Sequence, residues 1–109
     1  MIREISKSDW KLFRQKIGEW QEDYMARLNG EYIELLSGND PASVKFWKLE
    51  ERIRSDKKTP GVCLELRKSE VAWDIARLIR DGVINEADIA EFSGDLQEWI
   101  SELVKVRWS

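Results

Sequence analysis

Large apolar residues recur along this chain at steps of three and four, and the steps hold phase for long enough to predict helices throughout. Counted at 100° per residue, Trp10, Phe13, Ile17, Trp20, Tyr24, Met25, Leu28, Tyr32 and Leu35 fall within an arc of about 140°. One straight helix over about 9–37 accounts for all nine, with Ser8 as its N-cap and Ser37-Gly38 before Asn39-Asp40-Pro41 as its stop. Gly18 and Gly30 each weaken it by about 1 kcal/mol relative to alanine, but the stripe crosses both without losing phase.

Asp40-Pro41 then reads as an N-cap followed by proline in the first turn of a helix over about 41–56. Ala42, Phe46, Leu49 and Ile53 share an arc of about 60° and form its expected core seam, leaving Val44 and Trp47 outside it. Pro60 starts a third segment, over about 60–81, that ends at Gly82 as a left-handed C′ residue. Its two apolar stripes do not coincide: Val71, Ile75, Leu78 and Ile79 lie on one side, Val62, Leu66, Trp73 and Ala76 on nearly the other. Either the helix is buried on two faces or it breaks near Lys68-Ser69, with Ser69 capping a new one. The lack of an internal proline or glycine favours continuity.

Ile84 and Ile89 flank Asn85 as a hydrophobic staple, and Asn85 with Asp88 has the form of a capping box. From there Ile89, Phe92, Leu96, Trp99, Leu103 and Val106 run in heptad-like steps through Ser93-Gly94, which predicts a fourth helix over about 86–107. The expected architecture is a single all-α domain without sheet, a four-helix bundle or bundle-like array with short loops.

Composition narrows the function. The 109 residues are 42% hydrophobic and 36% charged and include six tryptophans, one cysteine and no histidine. The side chains most used for proton transfer, metal binding and thiol chemistry are thus absent or single. Cys63, beside Val62 and Leu64, reads as a buried reduced thiol. No apolar run reaches the ~18 residues of a membrane span, and Met1-Ile2-Arg3-Glu4-Ile5 lacks the plan of a signal peptide, so a cytoplasmic location away from membranes is expected. No cofactor and no metal are expected, and no phosphate loop, calcium loop or nucleophile elbow is present.

The net charge of −3 conceals an asymmetry. Residues 1–44 carry six basic and eight acidic side chains, 45–68 eight and four, and 69–109 four and nine. The middle is basic and the end acidic, with Glu91, Asp95, Glu98 and Glu102 forming a stripe opposite the last seam.

The runs Trp10-Lys11-Leu12-Phe13-Arg14, Glu19-Trp20-Gln21, Tyr24-Met25 and Glu31-Tyr32-Ile33-Glu34-Leu35-Leu36 resemble a family of small uncharacterised bacterial proteins. So do Lys45-Phe46-Trp47, Leu49-Glu50, Arg52-Ile53, Asp56-Lys57-Lys58, Pro60-Gly61-Val62, Asp81-Gly82-Val83-Ile84 and Phe92-Ser93, and the likeness covers most of the chain. The resemblance implies a compact helical domain and carries no activity and no site residue.

Trp47 and Trp73 stand about 100° or more from the main apolar arc of their own segments, and tryptophan outside a seam is enriched in interface hot spots. With Val44, Val62 and Leu66 they form the expected contact patch for a protein partner or a second copy, unless their helices are packed on both faces. Lys45, Lys48 and Arg52 on one face of the second helix would set its register. Trp108 is placed at the bundle end. A first helix of 28 residues would span about 42 Å, far beyond a compact core, which favours a homodimer covering the overhang. The expected function is therefore a non-enzymatic protein-contact module. The alternative is a small nucleic-acid-associated regulator using the basic segment 45–68, opposed by the overall acidity and by the interleaved Glu50, Glu51 and Asp56.

Overall fold

The computed structural model describes residues 3–106, which form four α-helices and two short 3-10 turns, with no strand among them. Helix α1 is Lys7–Ser37, α2 Ala42–Asp56, α3 Val71–Arg80 and α4 Gly94–Val104. Trp108 and the end of the expected last helix lie outside the described residues.

The all-helical class and the single long first helix agree with the apolar pattern. α1 passes Gly18 and Gly30 unbroken for 31 residues. Its N-cap is Ser6, not Ser8: the Ser6 Oγ accepts the Asp9 N–H at 3.1 Å. At ~1.5 Å per residue the helix is about 46 Å long, and it sets the shape of the whole molecule, which measures 57 × 29 × 23 Å. The radius of gyration is 16.6 Å, against roughly 13 Å for a compact chain of about this size.

The core gathers at one end of α1. Phe13, Ile17 and Trp20 pack there against Val71, Ala72, Ile75 and Leu78 of α3, Leu96 and Ile100 of α4, and Ile5, Val83, Ile84, Ile89 and Phe92 from the connecting segments. Phe13 and Trp20 meet edge to face with ring centroids 6.3 Å apart, and Trp20 reaches Phe92 at the same distance. Beyond Trp20, α1 rests on two turns. Gln21 donates to the Pro60 carbonyl at 2.9 Å, Tyr24 covers Gly61, and the Arg27 guanidinium donates to the carbonyls of Gly82 and Val83 at 3.0 and 2.9 Å. Past Leu28 it pairs with α2, folded back as a hairpin. The result is a three-helix core with a two-helix arm, and α1 runs through both.

Three expectations need correction. The segment 60–81 is not one helix: Pro60 to Val62 make a turn, residues 63–67 have no regular secondary structure, and a 3-10 turn over Lys68–Glu70 leads into α3. Of the second stripe, Val62 and Leu66 lie on the piece held by Gln21 and Tyr24 against Pro60-Gly61, whereas Trp73 and Ala76 share α3 with the first stripe, Ala76 buried and Trp73 exposed. No helix of this segment precedes Lys68, and Ser69 supplies no side-chain cap to α3. The segment 86–107 also divides, into a 3-10 turn over Glu86–Ile89 and α4 from Gly94. In a continuous helix the Ser93 N–H would bond the Ile89 carbonyl. Here the buried Asp9 carboxylate takes it at 3.0 Å and the Ser93 hydroxyl at 2.5 Å, while the Ser93 Oγ caps Leu96 N–H at 3.2 Å. Finally, α2 contributes no buried residue, so Ala42, Phe46, Leu49 and Ile53 are not a core seam.

Two other signals, the Asn85–Asp88 box and Gly82, are where the sequence puts them. The Asn85–Asp88 capping box is reciprocal, at 2.8 and 3.2 Å. Gly82 ends α3 at φ +75°, a left-handed conformation that a Cβ disfavours. Pro41 rather than Asp40 occupies the N-cap of α2, and the Asp40 carboxylate instead accepts from Lys48 Nζ at 2.8 Å.

Candidate interaction surface

The arm is stapled along one flank. Arg52 of α2 donates to Glu31 of α1 at 3.0 Å, lies 3.7 Å from Asp56 and stacks over the Tyr32 ring at 5.5 Å from its centroid. The Tyr32 hydroxyl donates a short hydrogen bond to the Asp56 carboxylate. Burial and that bond to a carboxylate push the Tyr32 phenol up to about 12, so it keeps its proton at any physiological pH. The bond to Glu31 likewise raises the Arg52 guanidinium, and the bond from Lys48 lowers Asp40.

Those contacts fix how the two helices are turned. In an antiparallel pair with Glu31 and Arg52 on one flank, residues roughly 100–160° around each helix from them lie on the other flank. The large apolar residues among these are Ile33 and Leu36 on α1, and Phe46 and Ile53 on α2. All four are exposed, Ile33 at 65% and Phe46 at 63%. Trp47, also 63% exposed, leans on Phe46 edge to face with centroids 5.1 Å apart, and Val44 is exposed near the tip. The arm thus has one ion-paired flank and one apolar flank. The charges bordering the apolar side, Glu50 and Arg54, pair with each other one turn apart.

Of the residues singled out from sequence, Val44, Trp47, Lys45, Lys48 and Arg52 all lie on α2. Val62 lies in the turn after it and is half-buried. Trp73 sits on the outer side of α3, one turn past Ser69, which shares a groove with Arg3 to Ile5 at the start of α1. Trp47 belongs to the far end of α1, so the structure does not bring the two tryptophans into one patch. Sequence reasoning missed Ile33 and Leu36, and it gave Phe46 and Ile53 to the core. The available signal was the run Tyr32-Ile33-Glu34-Leu35-Leu36, which carries more apolar residues than one inward stripe uses.

Several of the charged candidates are paired within the fold. Lys48 and Arg52 of the basic segment have carboxylate partners, as do Arg54 with Glu50 and Arg67 with Glu65. Two members of the acidic stripe on and before α4 are ion-paired: Arg3 reaches Glu102 at 2.6 Å and Lys16 reaches Glu91 at 2.8 Å. A groove of about 400 Å³ at that end is lined by Arg3, Asp9, Ser93, Asp95, Glu98 and Trp99, but Asp9 is spent on Ser93 and Arg3 on Glu102. Cys63 is exposed rather than buried, on a stretch without regular secondary structure. No cluster of metal-ligating side chains occurs among the described residues, and no helix among them is long and apolar enough to cross a membrane.

One buried group stands apart. Asp74 of α3 is buried, its Oδ2 has no hydrogen-bond partner, and its Oδ1 is 3.8 Å from Arg77 Nη1. Burial pushes its carboxyl up to about 6, with Arg77 opposing and Glu70 assisting.

Comparison with protein-family models, with curated proteins and with solved structures finds no match.

Proposed function

We propose that this protein is a contact module that works by docking the apolar flank of its helical arm onto another protein surface, with no chemistry of its own. One observation carries the reading: a fifteen-residue helix that buries none of its side chains nevertheless holds Phe46, Trp47 and Ile53 in water, beside Ile33 and Leu36. A helix of that length is marginal alone, and exposing this much apolar surface costs stability unless something covers it. The ion-paired flank keeps the arm folded and oriented while leaving the apolar flank open.

The nucleic-acid alternative draws less support. Lys48 and Arg52 would have to leave Asp40 and Glu31 before tracking phosphates, and the apolar flank has no role in that reading.

The test is retention of partners from a lysate of cells that express the protein, using the unaltered chain and a Phe46→Glu/Ile53→Glu variant as baits. A protein, this chain included, held by the first and lost by the second supports the proposal. Identical recovery by both baits would sink it.

A further inference from the structure

We infer that the occupant of the apolar flank is a second copy of the same chain, docked about a two-fold axis that crosses the arm, so that Ile33, Leu36, Phe46 and Ile53 of each copy, with Trp47 against Phe46 at their border, face one another. This deepens the reading above and rests on it. Three features argue for self-pairing over a different partner.

The first is area. Exposures of 65% for Ile33 and 63% for Phe46 and Trp47, with Leu36 and Ile53 also exposed, leave roughly 600 Å² of coverable surface on each copy, so a pair buries about 1,200 Å², the lower bound for specific interfaces. One arm laid on another reaches that bound without any contribution from the cores.

The second is charge. A surface that meets itself must carry no unbalanced row of one sign, since like charges would then oppose across the axis. This flank satisfies that condition, because Glu50 and Arg54 at its border form an ion pair within one copy. A lipid surface is disfavoured for a related reason: membrane-lying helices set a row of Lys and Arg beside their apolar face, whereas here Arg54 at its border is held by Glu50, and Lys48 and Arg52 lie toward the other flank, held by Asp40 and Glu31.

The third is shape. The molecule is 57 Å long and no more than 29 Å across, with its buried core at one end of α1 and the arm at the other. A two-fold axis across the arm puts the two cores at opposite ends, where they do not collide. The paired arms form a four-helix arrangement like those that pack about 20° from antiparallel.

The test is sedimentation velocity of the purified full chain over a concentration series up to about 500 µM, a range that brackets micromolar dissociation constants. The expected result is a monomer–dimer equilibrium with a micromolar midpoint, weakened at least about tenfold by Phe46→Glu and by Ile53→Glu and unchanged by Leu66→Glu, an exposed apolar site off the arm. Far-UV circular dichroism on each variant establishes that its helices are intact. A strict monomer across the series overturns the second copy as occupant, while the proposed function stands or falls separately on the lysate comparison. A dimer indifferent to both arm substitutions also overturns the inference, since its contact would lie elsewhere.

Discussion

Replacing Asp74 by asparagine is expected to stabilise this protein at neutral pH and to have little effect in mild acid. The carboxylate is buried on α3 with one oxygen unbonded, and its nearest cation, the Arg77 guanidinium, is 3.8 Å away and itself partly solvated. Burial raises the carboxyl from 3.8 to about 6, so between these values the folded chain binds a proton that the unfolded chain has released. Stability therefore falls as pH rises through that window, and above it the ionised group costs about 3 kcal/mol relative to its neutral form. Asparagine keeps the shape and cannot ionise, though its amide remains a buried polar group, so a net gain of about 2 kcal/mol at pH 7.5 is a fair expectation. For a domain near 100 residues that corresponds to roughly 10 °C in Tm. The assay is urea or thermal unfolding of both proteins, followed by far-UV circular dichroism from pH 4.5 to 8. The difference between the two curves isolates Asp74 from the other titrating groups. It should open with rising pH and level off above about 7. A variant no more stable than the parent at pH 7.5, or a difference that does not change with pH, would refute the reasoning.

Gly61→Ala should destabilise the fold by about 1–3 kcal/mol in urea titrations, because a Cβ there would lie 2.6 Å from Tyr24 Cε2 and 2.7 Å from Val83 Cγ2. Asp9→Ala strands the Ser93 N–H and hydroxyl, and a loss of about 2 kcal/mol is expected, with hydrogen exchange accelerated first at Ser93 to Gln97. Phe46→Ser should change the stability of the monomer by less than about 0.5 kcal/mol, whereas Phe13→Ala, at a fully buried ring, should cost about 3–5 kcal/mol. Equal losses at the two phenylalanines would mean that the arm packs more tightly than its exposure indicates.

Much of the local framework was legible from sequence because its causes are local. The unbroken α1, the left-handed Gly82 and the Asn85–Asp88 box each depend on residues within a turn or two of one another. The division of the last helix was not legible, since what ends it is Asp9, more than eighty residues away in sequence, taking the Ser93 N–H. Phase continuity from Ile89 to Leu96 misled for the same reason: two pieces can present apolar residues in step without sharing a backbone ladder. On α2, periodicity correctly marked Phe46 and Ile53 as lying on one side of a helix, but it carries no information on whether anything lies against that side. Likewise Trp47 could be recognised as off the seam, while its distance from Trp73 depended on the irregular stretch at 63–67.

Because one helix crosses from the core into the arm, it behaves as a shaft that ties the heading of its far end to the near one. An insertion of one residue between Leu28 and Glu31 would swing everything beyond it by about 100° and leave Phe13, Ile17 and Trp20 in their sockets. The strand of chain returning at Pro60 would have to follow, against the grip of Gln21. Changes of length in this stretch would thus be tolerated in steps of about seven residues, two whole turns, and single-residue steps would point the arm the wrong way.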